Sequence, residues 1–203
     1  MPDATRLILA SGSAARRTLL EAAGLIFDVI PANIDEAAIR DAIVDSAAGV
    51  EGVDVASVLA AEKARLVSEA HPSALVIGAD QVLTLGGKFF SKAENLAEAR
   101  EILSMLRGRT HELVSAIALA RNGEVHWQTS AMAEMTMRTF SDEFLGCYLE
   151  KMGQRALQVV GCYEIEGPGV QLFEEIDGDH FTILGIPLLE LLARLRHEGM
   201  VTA

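Results

Sequence analysis

The sequence has little cysteine and no long apolar run. Its two cysteines, Cys147 and Cys162, are too few and too unpatterned for a disulfide scaffold or a zinc site, so we expect reduced thiols. No stretch approaches the roughly 18 apolar residues of a membrane helix, and the apolar run at 7–10 is too short for a signal peptide. These absences predict a cytoplasmic protein with no membrane partner.

Basic residues are also scarce. The chain has 17 Lys and Arg against 29 Asp and Glu, for a formal net charge of −12. Non-specific binding of nucleic acid needs a basic surface, so we expect no nucleic-acid partner. A small anionic ligand stays possible, because a local cationic pocket can exist on an acidic protein. Half of the 203 residues are hydrophobic, which is typical of a globular chain, and we expect a single domain over 1–203.

Helices and strands alternate in the first half of the chain, and strands cluster later. The patterns predict strands at 7–10, 27–30, 75–79, 82–85, 89–90, 112–120, 125–138 and 170–176. They predict helices at 14–23, 55–69, 96–106, 142–151 and 187–197, with a short helix and a loop within 38–52. This order favours an α/β or α+β class with a mixed sheet.

A polar segment follows the first predicted strand and opens the first predicted helix. It runs Ser11-Gly12-Ser13-Ala14-Ala15-Arg16-Arg17. Free amides at a helix N-terminus bind phosphate oxygens, and serine hydroxyls add hydrogen bonds. Two arginines in a first turn oppose the helix dipole unless an anion is bound there. A phosphate site and a solvated arginine pair beside a serine cap are both compatible with this segment.

Asp80 follows the most strongly apolar predicted strand, 75–79. A carboxylate at the carboxyl end of a buried strand can hold a divalent ion or activate water, and it can also simply cap a turn. Glu36, Lys63 and Lys92 are single charges that local context alone would place at the surface. The five histidines show no metal-ligand spacing, so a zinc site is not expected.

Several short segments, taken together, resemble the Maf family of nucleotide pyrophosphatases. They are Leu7 to Leu20, Ile34-Asp35-Glu36, Glu62-Lys63-Ala64, Ile77-Gly78-Ala79-Asp80-Gln81, Arg107-Gly108-Arg109-Thr110-His111, Glu166-Gly167 and Gly185-Ile186-Pro187-Leu188. The match is collinear over nearly the whole chain. The sequence departs from the family pattern at Ala14 and Ala93, where the family usually has proline, and Ala14 should slightly loosen the first helical turn.

The resemblance implies a fold, a reaction and a set of site residues. The fold is α/β, with a mixed central sheet flanked by helices in an elongated, two-lobed, Maf and inosine-triphosphatase-like architecture with a central cleft. The reaction is hydrolysis of nucleoside triphosphates between the α- and β-phosphates, and the protein is usually a homodimer. Asp80 takes the role of general base, and Glu36 with Asp80 holds Mg2+ or Mn2+. The triphosphate contacts are assigned to Ser11, Ser13, Arg16, Arg17, Lys63 and Lys92.

Three positions implied by the resemblance bear on base preference: Ala15, Gln81 and Glu166. Gln81 and Glu166 match family members that prefer 7-methyl-GTP, whereas Ala15 replaces their tryptophan and offers no stacking surface. A carboxylate at 166 can accept hydrogen bonds from guanine N–H groups and offset the charge of a methylated ring. We therefore expect 7-methyl-GTP or another modified purine nucleotide, with dTTP, UTP or broad specificity as the alternative.

Two readings from other classes stay open. The chain could be a non-catalytic, nucleotide-binding regulator of cell division, although a pure binder has no need of a water-activating carboxylate such as Asp80. It could also be a sugar-nucleotide transferase, whose first strand can likewise end in a phosphate-binding turn. Such a transferase would lack the paired segments at 78–81 and 107–111.

Overall fold

A computed structural model describes residues 6–202 of the chain. The strands are β1 (Leu7–Leu9), β2 (Asp28–Val29), β3 (Leu75–Leu85), β4 (Lys88–Phe90), β5 (Thr110–Arg121), β6 (Glu124–Met137) and β7 (Phe173–Asp177). The helices are α1 (Ala14–Ala22), α2 (Glu36–Ser46), α3 (Gly52–Ala70), α4 (Leu96–Leu106), α5 (Asp142–Met152), α6 (His180–Ile183) and α7 (Leu188–His197). None of the helices within 6–202 is long and apolar enough to cross a membrane.

The strands form a mixed sheet in the order β2-β1-β3-β5-β6-β7, with β4 pairing with β3 outside this path. β1 runs parallel to β2 and to β3, whereas β4 is antiparallel to β3 and β7 is antiparallel to β6. The predicted α/β class with a mixed central sheet flanked by helices is therefore confirmed. The elongated, two-lobed shape with a central cleft stays a prediction.

The chain divides into two compact units. The first comprises residues 6–81, 114–131 and 179–202, and the second comprises residues 82–113 and 132–178. The core of the first unit joins the apolar side chains of β1 and β3 to those of β5 and α7, including Leu9, Ile77, Ile117 and Leu191, all fully buried. The prediction of one domain over 1–203 remains a prediction, and residues 1–5 and 203 lie outside the described part.

A close approach between α3 and β3 depends on Gly78. A Cβ atom built at Gly78 would lie 2.1 Å from the backbone oxygen of Ala60 and 2.6 Å from the backbone nitrogen of Ala64. Only a residue without a side chain allows the helix to lie this close to the strand. The contact places Lys63, on the same helix, beside Asp80, on the same strand.

The second unit contains α4, α5, the β3–β4 hairpin and the β6–β7 pair. His111, on β5, is almost fully buried, and its Nε2 lies 2.7 Å from the hydroxyl of Tyr163. The ring of Tyr163 in turn packs edge-on against Phe173, with ring centroids 4.8 Å apart. Within the described residues, the other ring nitrogen of His111, Nδ1, has no hydrogen-bond partner.

The boundaries of several predicted elements differ from those in the structure, and two of the differences have a clear physical reason. β3 does not end at Ala79 but continues through Asp80 to Leu85, because Asp80 finds a buried partner within the fold and needs no turn to reach solvent. The predicted strand at 170–176 begins only at Phe173, since Pro168–Leu172 forms a 3-10 turn. Proline suits the first position of such a turn, because its fixed φ is already helical.

Candidate active site

Three charged side chains meet in the first unit. Lys63 Nζ lies 2.6 Å from Asp80 Oδ1 and 2.6 Å from Glu36 Oε1. Lys63 and Asp80 are only 6% and 5% exposed, whereas Glu36 is exposed. A buried carboxylate needs a paired cation to remain charged, and Lys63 supplies it.

Each of these three residues is positioned by a different element. Glu36 opens α2, where Asp35 caps the helix by accepting a hydrogen bond from the amide of Ala38. Lys63 lies on the buried face of α3, and Asp80 lies in the middle of β3. The contact therefore joins a helix start, a helix face and a strand that are distant in sequence.

Burial raises the pKa of Asp80, while the charges of Lys63 and Arg16 act in the opposite direction. The nearby carboxylate of Glu36 adds to the upward shift of this pKa. Asp80 is thus a carboxylate whose proton affinity exceeds that of an exposed aspartate. Such a group can accept a proton from water and still be held in place by cations.

Arg16 lies beside this cluster and is also buried. Its Nε donates to the backbone oxygen of Gly185 at 2.9 Å, and its Nη1 donates to Ser11 Oγ at 2.9 Å and to the Ala79 oxygen at 3.1 Å. Burial lowers the pKa of Arg16, and the charges of Asp80 and Glu36 oppose that shift. These protein oxygens thus offset the unfavourable interaction between the charge of Arg16 and the helix dipole. The position of Arg16 in a first turn therefore does not by itself require a bound anion.

The serines at the start of α1 both accept hydrogen bonds from Arg16, one from its side chain and one from its backbone amide. Ser11 is buried and accepts from Arg16. Ser13 is the N-cap of α1, as its sequence position suggested, and its hydroxyl accepts from the amide of Arg16 at 3.4 Å. Arg17, by contrast, is exposed and pairs with Glu21 one helical turn later.

Gln81, the residue after Asp80, is bound from two other elements of the first unit. Its Nε2 donates to Ser115 Oγ on β5 and to the backbone oxygens of Thr182 and Ile183 on α6. α6 itself is capped by the carboxylate of Asp179, which accepts from the amide of Thr182. The amide of Gln81 is therefore held in one orientation.

Comparison with known proteins identifies the family of this chain. The family model described as "Maf-like protein" matches residues 6–198. This chain belongs to the Maf family. The expectation from the sequence segments is confirmed.

Maf relatives of this chain carry two different names. A protein from Rhizobium etli named 7-methyl-GTP pyrophosphatase is 48% identical over 97% of this chain and 98% of its own length. One from Mesorhizobium japonicum with the same name is 50% identical over the same shares of the two chains. A protein from Rhodopseudomonas palustris named nucleoside triphosphate pyrophosphatase is 49% identical over 96% of this chain and 95% of its own length.

Not every predicted site residue of this Maf chain falls in the first unit. Lys92 and Glu166 belong to the second unit, and both are exposed. Ala15 lies in the first turn of α1 and is partly buried. The structure thus brings together Ser11, Arg16, Glu36, Lys63 and Asp80, and the roles assigned to all of the predicted site residues stay predictions.

The carboxylates of Glu36 and Asp80 fit a hard divalent cation. Both offer oxygen ligands, and both already contact one cationic group, Lys63 Nζ. Mg2+ typically binds one or two carboxylates and completes its coordination with phosphate oxygens and water. Within residues 6–202, no group of three or more His, Cys, Asp and Glu side chains could enclose a metal ion. The two carboxylates would supply only part of such a coordination shell.

The local sequence patterns missed three residues of this Maf site. Ser115 interrupts an apolar run at 113–120, and this polar interruption of a buried strand was a signal that could have found it. Thr182 and Gly185 act through their backbone oxygens, which leave no side-chain signature. The role of Gly185 can be read only from the fold.

Proposed function

We propose that this chain hydrolyses nucleoside triphosphates between the α- and β-phosphates and releases a nucleoside monophosphate and pyrophosphate. The observation that carries the proposal is the buried Asp80 carboxylate, held by Lys63 at 2.6 Å beside Glu36 and Arg16. The names of the relatives support it, because these proteins are named pyrophosphatases and the chain matches them over almost their full length.

In this reaction Asp80 takes a proton from a water molecule. The oxygen of that water forms a bond to the α-phosphorus, and the bond from this phosphorus to the α–β bridging oxygen breaks. The bridging oxygen leaves with pyrophosphate and carries the electron pair of the broken bond. The burial of Asp80, which raises its pKa, favours proton acceptance, and Lys63 keeps the carboxylate oriented.

The cations of the site match the charge of the substrate. Lys63 uses two of its three donors on Asp80 and Glu36, so the third can bind a phosphate oxygen. Ser11 and Arg16 lie at the start of α1, where helix amides favour anions. When bound by Glu36 and Asp80, Mg2+ or Mn2+ would neutralise charge on the phosphates. Lys92 and, less directly, Ser13 and Arg17 are proposed as further phosphate contacts.

We also infer that 7-methyl-GTP or another modified purine nucleotide is the preferred substrate. Sequence identity does not decide this point, because relatives with the specific name and with the general name are equally similar to the chain. Support comes from Gln81, whose amide is held in place by its neighbours, and from the carboxylate at Glu166. We also propose that the protein is a homodimer and lies in the cytoplasm. Sedimentation velocity checks the oligomeric state.

Release of pyrophosphate from a nucleotide panel tests the proposal. The panel contains 7-methyl-GTP, GTP, ATP, dTTP, UTP and CTP, each with Mg2+ and with Mn2+. We expect pyrophosphate rather than phosphate as product, with 7-methyl-GTP the best substrate. A preference for dTTP or UTP would overturn the purine assignment, and nucleotide binding without turnover would favour the regulator.

The variant Asp80→Asn tests the role of the carboxylate. We expect it to lower kcat at least a hundredfold, since general-base catalysis contributes about 10²–10⁴-fold. Asp28→Asn is the matched control, because Asp28 is an exposed aspartate of the same unit that pairs with Arg6. Turnover by Asp80→Asn equal to that of this control would remove Asp80 from the mechanism.

A further inference from the structure

The side-chain amide of Gln81 has one possible orientation. Its Nε2 lies 3.0 Å from Ser115 Oγ, 3.2 Å from the Thr182 oxygen and 3.0 Å from the Ile183 oxygen. Two of these partners are backbone carbonyls, which can only accept hydrogen bonds. The opposite orientation would turn Oε1 toward two carbonyl oxygens. None of these three oxygens carries a hydrogen, so no hydrogen bond could form between them. The nitrogen must therefore face this side.

In this orientation both N–H donors of the Gln81 side chain are bound within the protein, and its acceptor, Oε1, is available to a ligand. An amide nitrogen carries two hydrogens, and here three acceptors surround it. Within residues 6–202, the side chain of Gln81 makes all of its hydrogen bonds through Nε2. Gln81 is only partly buried, so Oε1 is the polar atom through which it can bind a ligand.

Ser115 contacts both the amide of Gln81 and one of the two carbonyls that orient it. It is fully buried on β5, and its hydroxyl donates to the Thr182 oxygen at 2.7 Å. A hydroxyl has one hydrogen, so toward Gln81 the oxygen of Ser115 can only accept. The carbonyls of Thr182 and Ile183 are fixed in turn by α6, whose N-cap is Asp179.

We propose that Ser115 is a positioning residue for nucleotide selectivity, which holds Gln81 so that its Oε1 accepts a hydrogen bond from the nucleobase. The inference rests on the proposed function and deepens it. An acceptor selects a base whose edge presents N–H groups, as guanine does at N1 and at its 2-amino group. Adenine has an unprotonated N1 and no 2-amino group, so an adenine seated in the same orientation as guanine would face Oε1 with a second acceptor.

The test compares kcat and KM for 7-methyl-GTP and for ATP in wild type and in Ser115→Ala. Loss of one aligned hydrogen bond is expected to lower the ratio of the two kcat/KM values about fivefold. The change should come from a higher KM for 7-methyl-GTP, with a smaller change in kcat. Ser115→Thr keeps the hydroxyl and should restore most of the ratio.

Ser68→Ala is the matched control. Ser68 is also fully buried in the first unit, donates to the Arg65 oxygen at 2.9 Å and accepts from the amide of Gly123 at 3.0 Å. It has no contact with Gln81, so its loss should lower stability as Ser115→Ala does and leave the ratio unchanged. Equal ratios in Ser115→Ala, Ser68→Ala and wild type would overturn the inference.

A second variant covers the case in which Ser115→Ala does not fold. Gln81→Met removes the acceptor at a partly exposed position and should lower the ratio to a similar extent. In a folded double variant, Ser115→Ala should add little to Gln81→Met, because both act through one atom. A fully additive effect, or no effect of Gln81→Met, would contradict the proposal.

Failure of the proposed function can be recognised separately. If the wild type releases no pyrophosphate from any nucleotide, the proposed function fails. The ratio of Kd values for 7-methyl-GTP and ATP, measured by calorimetry on the same variants, then tests the role of Ser115 alone. A wild-type preference for 7-methyl-GTP that Ser115→Ala leaves intact would refute the inference and leave the proposed function standing.

Discussion

The ammonium of Lys63 lies 2.6 Å from the carboxylate of Asp80, and both side chains are more than nine-tenths buried. A buried ion pair contributes little net stability compared with apolar residues, but removing one partner leaves an uncompensated charge. Stability alone therefore does not account for the pair. In the proposed function, the pair holds the base Asp80 beside a cation that can contact a phosphate oxygen.

Lys63→Met should destabilise the protein by about 3 kcal/mol or more, because it leaves Asp80 buried without its closest cation. Adding Asp80→Asn should recover part of this loss, since the remaining partner is then neutral. Urea unfolding of both single variants and the double variant measures the coupling. Arg65→Met on the same helix is the control, because Arg65 pairs only with surface carboxylates and should change stability by no more than about 1 kcal/mol. Additive effects of Lys63→Met and Asp80→Asn would argue against the pair.

Gly185→Ala should cost about 2 to 3 kcal/mol and lower activity. Gly185 has a φ of +101°, and an added Cβ would lie 3.1 Å from Nε of Arg16, whose hydrogen bond to the Gly185 oxygen would shift. Gly199→Ala separates strain from contact, because Gly199 also has a positive φ but nothing within 4 Å of an added Cβ. The control should lose only about 1 kcal/mol in thermal or urea unfolding. Equal losses in the two variants would show that Arg16 is not crowded.

The stability of the protein should fall between pH 6.5 and pH 4 through His111. Burial lowers the pKa of His111 to about 4, so in this window the unfolded chain binds a proton that the folded chain does not. Stability is complete above the ordinary histidine pKa of about 6.5 and declines by about 2.5 kcal/mol on going to pH 4.5.

Urea unfolding of wild type and His111→Gln at pH 7 and pH 4.5 measures this contribution. Carboxylates titrate in both proteins, so the difference between the two pH-dependent losses isolates the histidine. His197→Gln is the control, because His197 is exposed. If His111→Gln loses as much stability as wild type does, folding does not lower the pKa of His111.

Glu166→Gln should weaken 7-methyl-GTP more than dTTP or UTP. A carboxylate offsets the positive charge of the methylated ring and makes charge-assisted hydrogen bonds, whereas the amide does neither. We expect kcat/KM for 7-methyl-GTP to fall about five- to tenfold relative to that for dTTP. Glu174→Gln, an exposed glutamate on β7 of the same unit, should leave the ratio as it is in wild type. An unchanged ratio in Glu166→Gln would end the argument that the carboxylate selects the base.

Local patterns predicted most elements well but could not assemble the site. The helix at 142–151 was predicted from the sequence and is present, and Ser141 caps its first turn by accepting from the amide of Phe144. Lys63 looked like a surface charge on a helix, since nothing near it in sequence shows that its face is buried. Only the resemblance to a family grouped it with Asp80.

Other features of the site arise from long-range contacts. The strand that contains Asp80 was predicted to end at Ala79, because local patterns treat a polar residue as the end of a buried strand. The partner that allows the strand to continue comes from α3, 17 residues away in sequence. Acceptors such as the Ala79 and Gly185 oxygens belong to the backbone, which every residue has, so no pattern of side chains reveals them.

Gly78 limits how the ion pair could be redesigned. The first atom that a side chain at this position would meet is the backbone oxygen of Ala60, which no substitution at position 60 can remove. A side chain at Gly78 therefore cannot be accommodated by trimming the residue that it meets first. The distance between the lysine and the aspartate thus depends on a residue that takes no part in their contact.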